Sequence, residues 1–180
     1  MDTDEYYMGI AIAVSKRANC LGRKVGAVLV KENRIISTGY NGTPENVKNC
    51  IDGGCVRCTK KREYSPANYD ICICVHAEQN SIVTAARFGI AIAGSTAYST
   101  LQPCFNCTKE MLQAGVCRVV YREELGSEYK DPDVHQMYVD LQNKFPDGIC
   151  KLPMDDSDSD WANGKNGSSE QGQVLDPACE

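Results

Sequence analysis

No stretch of the chain approaches the roughly 18 consecutive apolar residues of a membrane-spanning helix, so a helical span is excluded. The opening, MDTDEYYMGIAIAV, lacks the positive charge of a secretory or transit signal, which points to the cytoplasm. A broad basic face is missing as well. The net charge is −5, and from Met154 to Glu180 seven acids face one base, Lys165, leaving the other 153 residues near +1. That balance argues against a nucleic-acid partner, although a small anion pocket fits within it. Internal repeats are absent, and histidine is reduced to His76 and His135.

What remains is a chain of 180 residues, 42% hydrophobic and 24% charged, which suits one soluble domain better than two. The acidic, Ser/Gly/Asn-rich segment 154–180 reads as a disordered tail behind a folded body at 1–153. Cysteine is the abundant residue, with eleven copies at 20, 50, 55, 58, 72, 74, 104, 107, 117, 150 and 179. An odd number with no signal peptide speaks against a secreted disulfide framework and for metal or redox chemistry. Cys117 and Cys150 sit alone among apolar residues and read as buried packing residues.

Periodicity predicts a helix over 4–19, strands at 26–30 and 34–39 forming a hairpin, and a helix over 76–88 ended by Gly89. It continues with a strand at 96–100, a helix from Pro103 to Ala114, a strand at 118–121, a helix over 134–143 and a strand at 149–152. The sum is an α/β fold whose mixed sheet has a leading antiparallel hairpin and flanking helices. Residues 40–70 lack periodicity, and a loop that long in a compact domain is functional, metal-stapled or both.

Two short motifs carry chemistry. His76-Ala77-Glu78 opens one helix, and Pro103-Cys104-Phe105-Asn106-Cys107 opens another after a strand. Cysteines three apart in a first helical turn share a face and can close on one ion. Both motifs lie at helix N-termini, where the dipole favours thiolates. Three protein ligands, His76, Cys104 and Cys107, leave a fourth position open, as a catalytic zinc site does. Glu78 is then the proton carrier. A lone CxxC is as readily a structural zinc half-site or a redox pair, and a lone HxE arises by chance. Both in order at helix starts form the H-x-E…P-C-x-x-C signature of zinc nucleobase deaminases. His135, in a polar helix, reads as a surface residue.

From Glu5 to Tyr121 the sequence resembles the deoxycytidylate deaminases, a branch of the cytidine-deaminase-like superfamily with a three-layer fold. The resemblance rests on Cys20-Leu-Gly-Arg-Lys-Val-Gly-Ala-Val, Ser37-Thr-Gly-Tyr-Asn-Gly-Thr-Pro44, Val75-His-Ala-Glu-Gln-Asn80 and Gln102-Pro-Cys-Phe-Asn-Cys107. It implies a zinc-dependent deaminase domain over 1–153 that hydrolyses dCMP to dUMP and ammonia, supplying dUMP for thymidylate synthesis. It further implies dCTP and dTTP as effectors, Mg accompanying a regulatory nucleotide, and a hexamer. The residues alone also fit a deaminase of another cytosine nucleotide or of tRNA adenosine, or a non-catalytic zinc module for protein contacts.

For substrate, the resemblance points to Asn41 and the reading adds Ala77 and Asn80 beside the metal. Family members place a substrate-contacting Tyr where this chain has Leu125, with Tyr129 four residues on; either Tyr129 takes that role or the pocket differs. On the helix, His76, Asn80, Thr84 and Arg87 form one stripe. Arg87, about 16 Å along the axis, suits a regulatory nucleotide or a neighbouring subunit, or is simply a solvated arginine. Arg23 and Lys24 could meet a phosphate. The resemblance also includes a second, structural zinc on Cys20, Cys50 and Cys74, with Cys55 or Cys58 as the fourth ligand; Cys58 completes the preferred set. The alternative is a group of free buried thiols.

Overall fold

The computed structural model describes residues 2–60, 72–126, 129 and 131–154. The expected acidic tail, apart from Met154, lies outside the described residues. Helix α1 (Thr3–Ser15) leads into strands β1 (Gly26–Lys31) and β2 (Arg34–Tyr40). A 3-10 turn at Cys50–Asp52 and a single helical turn α2 (Val56–Thr59) interrupt the segment that follows. Then come α3 (Ala77–Arg87), β3 (Thr96–Leu101), α4 (Phe105–Gln113), β4 (Arg118–Glu123), α5 (Pro132–Gln142) and β5 (Ile149–Lys151).

The five strands form one mixed sheet in the order β2-β1-β3-β4-β5. β1 runs antiparallel to both β2 and β3, whereas β3, β4 and β5 are parallel through the crossover helices α4 and α5. Glu32 and Asn33 both have positive φ, which closes the β1–β2 hairpin with a tight two-residue turn. The period-2 alternation of each strand sends side chains into two layers. Val28, Val30, Tyr98 and Val120 pack under α1 with Tyr7, Met8 and Ile12. Leu29, Ala97 and Val119 face the other way, against Ala85 of α3 and Met111 of α4. The result is the expected α/β arrangement with helices on both faces.

Two glycines set how closely the layers approach. A Cβ on Gly26 would sit 2.2 Å from the Ala11 carbonyl oxygen of α1, and one on Gly39 would sit 2.1 Å from the Ala77 carbonyl oxygen of α3. The start of α3 is therefore seated directly on β2. On the opposite face, Asp4 of α1 accepts two hydrogen bonds from the Arg118 guanidinium, at 2.9 and 2.7 Å, and one from the Tyr98 hydroxyl at 2.7 Å. Asp2 and Glu5 form a capping box at the α1 N-terminus.

Several sequence expectations are corrected. α1 stops at Ser15, not residue 19, because the chain must turn to carry Cys20 toward Cys50. Pro103 is not the first helical residue of α4; Cys104 is the N-cap, and Pro103 lies before it. α5 begins earlier, at Pro132, with Asp131 as its cap. Cys117 is half-buried rather than buried, and Cys150, buried in the α1 layer, is disulfide-bonded. Among the described residues, no helix is long and apolar enough to cross a membrane.

Candidate active site

The carboxyl ends of parallel strands in an α/β sheet are where ligand crevices form. β3 ends at Leu101, and the chain passes through Gln102 and Pro103 into Cys104, the N-cap of α4, with Cys107 one turn inside. His76 is the N-cap of α3, and the Gln79 side chain accepts from its backbone N–H at 3.1 Å. The two helix starts meet. His76 Nδ1 lies 3.5 Å from Cys104 Sγ and 3.3 Å from Cys107 Sγ, and the three atoms fall within 4.8 Å of one another. A tetrahedral zinc with Zn–N near 2.0–2.1 Å and Zn–S near 2.3 Å separates its ligand atoms by about 3.5 Å. The donor set and its spacing fit that ion.

Glu78, in the first turn of α3, is 4% exposed. Ser99 of β3 donates to its Oε1 at 2.9 Å, and the Cys107 thiol approaches its Oε2 at 3.7 Å. Burial pushes the Glu78 carboxyl above the usual carboxylate range, although nearby hydrogen bonds and His76 oppose the rise. Cys104, hydrogen-bonded by Cys107 and facing His76, is held down to about 4, while Cys107 is raised by Cys104, burial and Glu78. Burial opposes charge on His76, but Cys104 and Glu78 outweigh it and raise the imidazole.

These groups open onto a cavity of about 250 Å³. It is lined by His76, Ala77, Glu78, Cys104, Gln102 and Leu125, by Arg23, Asn41 and Arg57, and by Cys20, Cys58, Cys72 and Cys74. Asn41 is largely committed to holding the loop before β1: its Oδ1 accepts from Val25 N–H and its Nδ2 donates to the Arg23 carbonyl, both at 2.8 Å. One N–H and one lone pair remain for a ligand. Lys24 faces a neighbouring groove shared with Arg23 and Arg122.

Other expected residues stand elsewhere. Asn80 does not line the cavity; its amide donates to the Tyr40 carbonyl at 2.7 Å and ties α3 to β2. Tyr129 is not on the wall either. Its hydroxyl accepts from the first backbone N–H of α4, at Phe105, at 2.9 Å, and its ring packs against Tyr138. Leu125 occupies the wall instead, against Cys104 and Cys107. Arg87 forms an exposed ion pair with Glu45 at 2.7 Å, and His135 is exposed. Sequence reasoning missed Ser99, Gln102 and Arg57. Ser99 was visible as a polar residue in strand TAYSTL and Gln102 opened the Gln102–Cys107 motif without a role of its own, whereas nothing in the pattern marked Arg57.

The remaining cysteines gather in a second cluster. Cys20, Cys50, Cys58 and Cys74 have all four sulfurs within 4.8 Å of one another, and all four are buried. These are the residues named above for a second zinc. Backbone N–H groups of Gly22 and Leu21 point at Cys20 Sγ and Cys50 Sγ, at 3.3 and 3.4 Å. The Ile51 N–H to Asn19 carbonyl bond at 2.9 Å and the Gly42–Val75 bridge bring the contributing loops together.

The sequence profile of the "Cytidine and deoxycytidylate deaminase zinc-binding region" matches residues 1–123. The chain is 40% identical over 120 residues to deoxycytidylate deaminase of Saccharomyces cerevisiae, covering 67% of this chain and 37% of that protein. It is 37% identical over 131 residues to deoxycytidylate deaminase of Mycobacterium phage D29, covering 68% and 96%. The solved dCMP deaminase of cyanophage S-TIM5 in complex with dCMP and dUMP superposes with a TM-score of 0.63 at 33% identity, over 82% of this chain and 95% of that one. The matched stretch is thus little more than a third of the yeast protein but nearly all of the two phage proteins. By its motifs, its fold and these matches, the chain belongs to the cytidine and deoxycytidylate deaminase family.

Proposed function

We propose that this protein is a zinc-dependent deaminase that converts dCMP to dUMP and ammonia. The observation that carries the reading is the convergence of His76, Cys104 and Cys107 beside a buried carboxylate, Glu78, in one cavity. His76, Cys104 and Cys107 would hold the zinc, which would supply Lewis-acid chemistry that lowers the pKa of a water at the amidine carbon. Glu78 is positioned to accept one proton from the attacking water and pass it to the ring nitrogen, which keeps it in dUMP. It is then positioned to carry the second proton, from the new hydroxyl on that carbon, to the amine leaving as ammonia. The Ser99 hydroxyl fixes the carboxylate through Oε1, leaving Oε2 for proton transfer. Leu125, packed on Cys104 and Cys107, covers one side of the metal ligands. Arg23 and Arg57 line the cavity and would supply positive charge for a monophosphate, and Asn41 and the Ala77 backbone would meet the sugar or base. The relatives' names and the dCMP complex of the cyanophage protein support the substrate.

A structural zinc on Cys20, Cys50, Cys58 and Cys74 belongs to the same reading. So do dUMP supply for thymidylate synthesis, a hexameric assembly, and dCTP and dTTP as effectors with Mg; family resemblance alone supports these. The test is Glu78→Gln. Ammonia release from dCMP is expected to fall at least about 10²-fold, the usual scale for losing a general acid–base, while the zinc content is kept. Wild-type protein that releases no ammonia from dCMP, with zinc bound, removes the assignment.

A further inference from the structure

The second cluster contains more sulfur than one zinc can use. Alongside Cys20, Cys50, Cys58 and Cys74, a second four-cysteine group exists: Cys55, Cys58, Cys72 and Cys74, again with all sulfurs within 4.8 Å. The two groups share Cys58 and Cys74, and among the described residues they do not merge into one group of six. We propose that these six cysteines hold two zinc ions in a binuclear cluster, with Cys58 and Cys74 as bridging thiolates. Cys20 and Cys50 are terminal ligands of one ion, and Cys55 and Cys72 of the other.

The distances carry this arrangement. Zinc–sulfur bonds near 2.3 Å in a tetrahedron place neighbouring sulfurs about 3.8 Å apart. The structure has Cys20–Cys58 at 3.8 Å, Cys55–Cys72 at 3.8 Å and Cys58–Cys72 at 3.7 Å. One of these contacts belongs to the first group and two to the second, each the length of a tetrahedral edge, and the other pairs within each group lie inside 4.8 Å. They are far longer than a disulfide, and all six thiols are free. Two tetrahedra that share an edge need two common sulfurs and four private ones, which is the partition found.

Charge does not set the pair at a disadvantage to the single ion. Four thiolates on one Zn²⁺ leave −2, and six thiolates on two Zn²⁺ also leave −2. Starting from six thiols, loading both ions releases six protons to solvent, with no change of oxidation state. A single ion on the first group would strand Cys55 and Cys72 as thiols against its ligands. Cys55, the N-cap of α2, has the Cys58 and Ile73 backbone N–H groups facing its sulfur and lies 3.8 Å from Cys72 Sγ. A cubane iron–sulfur cluster spreads its four cysteines, one to each iron, more widely than either group allows.

The proposal rests on reading these cysteines as zinc ligands but does not depend on catalysis. Its test is the zinc, iron and sulfide content of full-length protein purified without chelator. Wild type is expected to carry three zinc per chain and His76→Ala, lacking the catalytic ion, two. One zinc per chain in His76→Ala overturns the binuclear cluster while leaving the active-site reading intact. Cys50→Ser and Cys55→Ser should each lower the count. An unchanged count in Cys55→Ser overturns the proposal, as does iron with acid-labile sulfide. Should the serine variants fail to fold, wild type still decides. Cys55 and Cys72 are expected to resist iodoacetamide at least about tenfold better before than after zinc removal, and equal rates overturn their role as ligands.

Discussion

At the residue scale, the chemistry depends on the buried Glu78 holding one orientation. Its Oε1 has one hydroxyl donor, Ser99, at 2.9 Å. Removing a donor from a buried charged acceptor costs about 1–3 kcal/mol, so Ser99→Ala is expected to lower kcat roughly 5- to 160-fold. Because Ser99 positions Glu78 and does not bind dCMP in the proposed geometry, KM should change little and zinc content not at all. Ser99→Thr, which keeps the hydroxyl, should recover part of the rate. A pure KM effect in steady-state kinetics would place Ser99 at the substrate instead. His76, Glu78, Cys104 and Cys107 were legible in the sequence because a metal site constrains residue type and spacing locally. The settings of Asn80 and Tyr129 were harder to read from the sequence, for the opposite reason. Their orientation depends on distant partners, the Tyr40 carbonyl and the Phe105 amide, which no local pattern announces.

At the scale of elements, the site is as well placed as the contact between α3 and β2. Gly39→Ala would drive a methyl to 2.1 Å from the Ala77 carbonyl oxygen and 2.5 Å from the Ser81 amide, both backbone atoms that cannot swing away. Overpacking of this kind costs about 1–3 kcal/mol, and it displaces the turn that holds His76 and Glu78. A lower melting temperature together with weaker zinc retention is expected; a variant with wild-type zinc affinity would show that α3 moves as a rigid unit. On the other face, Asp4 clasps α1 to the sheet. Burial opposes its ionisation, but hydrogen bonds from Arg118 and Tyr98 outweigh it and hold the carboxyl below its ordinary 3.8. The folded state therefore favours the ionised form, so its contribution is complete above pH 3.8 and is lost as pH falls through the lowered value. Asp4→Asn should destabilise by about 2 kcal/mol at pH 7, the scale of hydrogen bonds to a charged group. Urea melts should show that deficit shrinking below pH 3.8. The order of helices and strands was readable from periodicity, but the Asp4–Arg118 pairing spans most of the chain and left no periodic trace.

At the scale of the molecule, the described residues hold two kinds of interior. One is apolar and built on the sheet, with Met8, Ile12, Val28 and Val120 on one face and Leu29, Met111 and Val119 on the other. The other is made of cysteine alone and gathers loops with little regular structure, where one 3-10 turn and the four-residue α2 are the only helices between β2 and α3 among the described residues. A sheet core survives loss of metal because apolar burial sustains it. A thiol core does not, because its folding free energy is the metal's binding free energy. Removal of zinc by a strong chelator under reducing conditions is therefore expected to unfold the protein in part. Far-UV circular dichroism should keep most of its helical signal while the melting temperature falls and proteases cut between residues 44 and 60. Activity should vanish by two routes at once, since Cys20, Cys58, Cys72 and Cys74 line the same cavity as Glu78. Restoring zinc to a His76→Ala chain separates the routes: it should return protease resistance at 44–60 without returning turnover. A chelated protein that keeps both its melting temperature and its resistance would mean that packed thiols, not metal, hold this wall of the cavity.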